Sequence, residues 1–170
     1  MIILKTLFDT SVYGRIVQEK KDVVLKERID ERRDVVVYGN KVISDELQET
    51  PERIPDSTGE KLKLKQRLLE LYLFLVKDHD LEITGLIFYL AKQYLESCKA
   101  IHKISKDKLQ NDFLIVACAS FHGLDIVVSE DNRTMRSGEA LRAYQKINQQ
   151  EKLRTPKFIS LQEFEKILKM

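Results

Sequence analysis

The chain has 170 residues and a mass of 19.9 kDa, and its 29 basic and 27 acidic side chains leave a net charge of +2. With 43% hydrophobic residues it can pack one domain, or at most two small ones, and is no disordered tail. The cancelling charges exclude a uniformly basic nucleic-acid coat, and two cysteines exclude a disulfide scaffold or a paired CxxC metal site.

The opening segment Ile2–Phe8 is short, apolar and β-capable, so it reads as a central buried strand. Lys5 and Asp9 interrupt it, so no signal peptide is expected, and no stretch is apolar for long enough to span a membrane. Asp9, Thr10 and Ser11 stand at the strand's carboxyl end. From Arg15 to Arg33, apolar residues set among alternating charges predict a solvent-laced helix with room for one break. Asp34–Gly39 reads as a second strand and Asn40–Thr50 as a short helix ended by Pro51. Residues 51–59 hold Pro51, Pro55 and Gly59 and read as a linker, closed by a capping-box spacing at Ser57–Glu60.

Two helices are predicted next, Glu60–Asp78 and Glu82–His102, as an antiparallel pair joined at Asp78–Asp80. Ser105 caps a helix that runs to His122 and stops at Gly123. Its middle, Phe113–Ala119, is apolar all round, which places it inside the core. Asp125–Ser129 is a third strand, Ser137–Gln149 a helix and Lys157–Ile159 a last short strand. Ser160–Glu163 is a second capping box, opening a C-terminal helix. Alternating strands and helices predict a mostly parallel sheet covered on both faces, a three-layer α/β/α sandwich. Cys98 and Cys118 lie in apolar helical surroundings and read as reduced, buried thiols, which suits a cytoplasmic protein.

Sites in open α/β sheets form beyond the carboxyl ends of the strands. There this sequence places Asp9, then Asp45 and Glu46 in the helix after strand two, then Glu130 and Asp131 after strand three. Asp112 sits directly before the apolar run, with no lysine or arginine inside that run to pair with it. Such residues also serve as turn and cap residues, but clustered carboxylates stay ionised only beside a cation. An all-oxygen set favours Mg²⁺ or Mn²⁺, and His79, His102 and His122 have no ligand spacing.

These segments resemble the PIN-domain nuclease family. The matching pieces are Phe8-Asp9-Thr10-Ser11, Ser44-Asp45-Glu46-Leu47, Asn111–Ala119 and Leu124–Asp131, in the family's order. The resemblance covers residues 1–49 and 107–136 and treats the helical pair at about 60–102 as an insertion in a single domain spanning 1–170. It implies an acidic set of Asp9, Glu46, Asp112 and Asp131 that holds Mg²⁺ or Mn²⁺ and hydrolyses RNA, with single strands as the substrate class and a 5′-phosphate and 3′-hydroxyl as products. Asp45 or Glu49 takes the Glu46 role if the helix register differs, and Glu130 has no assigned role. Ser129 and Thr10 orient water or a carboxylate, or are plain turn residues. Arg15, Arg133 and Arg136 are candidate phosphate contacts, or solvated charges. Relatedness to toxin–antitoxin ribonucleases implies an antitoxin partner. The Leu-rich helices predict a homodimer. The alternative is an inactive PIN-like module that binds nucleic acid or protein.

Overall fold

A computed structural model describes residues 1–51, 54–55, 61–98 and 106–170. The capping box expected at Ser57–Glu60 and the cap at Ser105 lie outside the described residues.

Strand β1 (Leu4–Phe8) runs parallel to β2 (Val35–Asn40) on one side and to β6 (Ile126–Val128) on the other. β5 (Asp80–Leu81) extends the sheet beside β2, and β7 (Lys157–Ile159) beside β6, giving the order β5-β2-β1-β6-β7, all parallel. A separate antiparallel ladder joins β3 (Ile54–Pro55) to β4 (Lys61–Leu62).

Helices α1 (Thr10–Gln18) and α2 (Asp22–Glu31) connect β1 to β2. The helix expected from Arg15 therefore begins five residues earlier, because the Asp9 carboxylate caps it by accepting from the Val12 amide at 3.2 Å. The single break falls at Lys20, whose φ is 55°. Helices α3 (Lys41–Gln48) and α4 (Leu64–Val76) lead on to β5. α4 starts after Lys63 rather than at Glu60, because Lys61 and Leu62 are engaged in the β3–β4 ladder.

α5 (Gly85–Ser97) and α6 (Lys106–Phe121) return to β6, and α7 (Gly138–Gln150) links β6 to β7. The sequence reading of α4 and α5 as a joined hairpin does not hold. β5 intervenes, α4 packs on α1, α3 and β2, and α5 packs on α6 and α7. The two helices of the pair pack in different layers of the sandwich. α8 (Leu161–Ile167) closes the chain with the capping box expected at Ser160–Glu163.

Each layer has its own aromatic cluster. Phe8 packs edge-on against Phe164 and beside Tyr13 on one side. On the other, Tyr94, Phe113 and Tyr144 meet edge to face, and Phe158 stacks on Tyr144. In α6, Phe113 to Ala119 are all buried, as an apolar stretch without a polar face requires. Cys118 is buried and Cys98, at the end of α5, is partly exposed; both are free thiols. Among the described residues no helix is long and apolar enough to cross a membrane.

Candidate active site

The chain leaves β1 toward β2 and leaves β6 toward β7, so the direction of winding reverses between β1 and β6. The register pairs Phe8 with Val128, which sets Asp9 beside Ser129 at the mouth of that crevice. The Asp9 amide donates to the Val128 carbonyl at 3.1 Å. Its buried carboxylate accepts from the Ser129 hydroxyl and the Ser11 hydroxyl, each at 2.5 Å. Those two hydroxyls in turn accept from the amides of Asp131 and Glu130. Asp9 therefore does two jobs, capping α1 and anchoring the loop after β6.

The other acids come from different layers. Glu46 on α3 accepts from the Thr10 hydroxyl at 3.0 Å. Asp112, buried on α6, contacts the Thr134 hydroxyl at 2.6 Å, and Thr134 also contacts Asp131. Asp131 further accepts the amides of Arg133 and Thr134 at 3.0 Å and pairs with Lys108 at 3.3 Å. On α3, Glu46 is the acid bonded to Thr10, whereas Asp45 turns to Lys41 and Glu49 is exposed past the helix end.

These acids feel one another. Burial pushes Asp112 up to about 7, with the charges of Asp131 and Asp9 adding to it. Burial also raises Asp9, with a further push from Asp131, against the lowering effect of its hydrogen bonds. Glu46 is raised by burial and by Asp9 and Glu49. Asp131 is the exception: burial would raise it, but the bonds from Thr134 and the charge of Lys108 outweigh that and hold it low. One Thr134 proton cannot serve two carboxylate anions. A protonated Asp112 donating to Thr134, with Thr134 donating to an ionised Asp131, satisfies all three groups.

The donor set fits a hard divalent cation: four carboxylates, all oxygen, gathered where their charges oppose one another. As the side chains stand, no three described histidine, cysteine or acidic residues converge closely enough to hold an ion. Their oxygens are instead turned to Ser11, Ser129, Thr10, Thr134 and Lys108.

No protein-family model and no curated protein matches this sequence. Solved structures do match. VapBC2 from Rickettsia felis, bound to a DNA fragment from its promoter, superposes with a TM-score of 0.57 at 11% identity, over 92% of this chain and 98% of that one. VapBC-1 from nontypeable Haemophilus influenzae gives 0.54 at 12% identity, with the same coverage of 92% and 98%. FitAcB from Neisseria gonorrhoeae gives 0.50 at 20% identity, over 81% of this chain and 92% of that one. The chain has a PIN-like fold.

Within this PIN-like frame the basic candidates separate. Arg15 binds Glu19 at 2.8 Å and Glu130 at 2.5 Å, on the outer side of the loop. Glu130, unassigned from sequence, also accepts the first amide of α8 from Leu161 at 2.7 Å, so it ties three elements together. Arg136 donates to the Ser129 carbonyl at 2.8 Å and braces the loop that carries Asp131. Arg133 is exposed next to Asp131. Sequence reading missed Ser11 as a ligand of Asp9, Thr134 as the bridge between two acids, and Lys108 as their cation. The one signal available for Lys108 was its spacing, one helical turn before Asp112.

Proposed function

We propose that this protein is a metal-dependent endoribonuclease that hydrolyses phosphodiester bonds of single-stranded RNA. What supports the reading is a chain of hydroxyl contacts where the sheet reverses direction: Asp9 bonds to Ser129 in the loop after β6, Asp112 shares Thr134 with Asp131, and Glu46 bonds to Thr10 beside Asp9. Asp9, Glu46, Asp112 and Asp131 would hold Mg²⁺ or Mn²⁺. Such an ion, when bound, supplies an acidified water and positive charge opposite a phosphate. Ser129 and Ser11 keep the Asp9 carboxylate aimed by donating to both of its oxygens. Thr10 does the same for Glu46, and Arg133 stands where it can meet a phosphate at the rim.

The structural neighbours are PIN-domain proteins of toxin–antitoxin systems, which supports a partner protein of antitoxin type for this chain as well. A cytoplasmic location and a homodimer complete the reading.

The test is cleavage of end-labelled single-stranded RNA with Mg²⁺ or Mn²⁺ by the wild type, Asp9→Asn and Asp112→Asn. Both substitutions keep the shape of the side chain and remove its charge, turning one acceptor oxygen into an amide donor. Each is expected to lower the rate on the order of 100-fold or more, since each removes a metal-binding charge. Equal rates in all three proteins would rule out the carboxylate site.

A further inference from the structure

We infer that Lys108 is a tethered cation that competes with the divalent ion for the carboxylate site and so sets how tightly that ion binds. This rests on the metal-site reading above. The Lys108 ammonium lies 3.3 Å from an Asp131 carboxylate oxygen. It stands on α6 one turn before Asp112, so its stem rises on the same side of the helix as that acid. Its charge favours the ionised forms of Glu46, Asp112 and Asp131, against the burial that opposes them. Those three acids belong to α3, to α6 and to the loop after β6. The ammonium touches the loop after β6, and its charge reaches the acids on α3 and α6 as well.

The competition is physical. A divalent ion entering the cluster must take over the Asp131 oxygen that Lys108 holds, and like charges there repel. Displacing the lysine is feasible, because its side chain is 54% exposed on a flexible stem. An exposed pair of this kind is weak, so Lys108 lowers the affinity of the ion without blocking it. Arg15 makes a useful contrast. It is paired with Glu130 and Glu19, outside the acid cluster.

The experiment is calorimetric titration of Mn²⁺ into the full chain, with wild type, Lys108→Gln, Lys108→Met, Lys108→Arg and Asp9→Asn at low salt and neutral pH. The neutral variants are expected to bind Mn²⁺ about fivefold more tightly, a factor of the size an exposed charge exerts on a neighbouring site. Lys108→Arg is expected to bind like the wild type, and the gain in the neutral variants should shrink with added salt. Equal or weaker binding by folded Lys108→Gln and Lys108→Met, beside a wild type that binds, would overturn the inference and leave the metal site standing. A wild type that binds no Mn²⁺, and so matches Asp9→Asn, would overturn the metal site and this inference with it.

Discussion

At the residue scale the acids show the clearest tension between stability and site chemistry. Folded Asp112 keeps its proton up to about pH 7, whereas an unfolded aspartate loses it near 3.8. Between those values the folded chain binds more protons than the unfolded one, so stability falls as pH rises through that window. Below it both states are protonated and nothing is lost; above it the full cost is present. Asp9 and Glu46, also raised, act in the same direction. Asp112→Asn should therefore stabilise the metal-free protein by up to about 4 kcal/mol at pH 8, with little effect at pH 4. Urea unfolding in the presence of a chelator checks this; an unchanged pH slope in the variant would contradict the shift. Asp9, Asp112 and Asp131 were legible from sequence, because each borders an apolar strand or run. Thr134 was not. Its role exists only because the loop after β6 folds back over α6, bringing it to an acid 22 positions away.

At the element scale, local pattern predicted the strands with long apolar faces and failed for β5. That strand is two residues long and begins with Asp80, so no periodicity marks it; pairing with Gly39 and Asn40 makes it a strand. The junction is held by Tyr72, whose hydroxyl bonds to Asp80 and lies 3.2 Å from the Asn40 carbonyl. The Tyr72 ring lies directly over Gly39: a Cβ there would come within 2.2 Å of the hydroxyl oxygen and 2.7 Å of the ring carbon bearing it. Gly39→Ala should cost about 1–3 kcal/mol by overpacking. Gly14, inside α1, has no atom within 4 Å of its missing Cβ. Gly14→Ala should stabilise by about 0.5–1 kcal/mol, since alanine is the better helix former. Chemical denaturation of the two variants should give opposite signs. The start of α1 was misplaced for a related reason: Asp9 was read as a site acid, and its second use as the helix cap lengthens α1 back to Thr10.

At the scale of the whole molecule, the first turn of α5 leaves Leu86, Phe88 and Tyr89 about half exposed or more, at 63%, 49% and 50%. Tyr72 and Tyr94, from the same predicted helical pair, are buried instead. Exposed apolar side chains grouped on one turn suit a protein surface better than water. Light scattering at micromolar concentration should give the mass of two chains, and the double variant Leu86→Glu/Tyr89→Glu the mass of one. A wild-type monomer would remove the case for a dimer.

The near-neutral charge balance takes on a different meaning at this scale. The charges of Asp9, Asp112 and Asp131 oppose one another and Asp9 acts on Glu46, so the modest total of +2 coexists with a local excess of acids at one edge of the sheet. By itself, the sequence determined the alternation of strands and helices, the fully buried α6 and the acids at the strand ends. Each of these is a local pattern, imposed by what one element must bury. The tertiary structure alone decided that Glu46 bonds to Thr10 while Asp45 turns to Lys41, that α4 and α5 divide between layers, and that hydroxyls and Lys108 contact the acids. Those outcomes depend on how elements distant in the chain are brought into register, which no local pattern records.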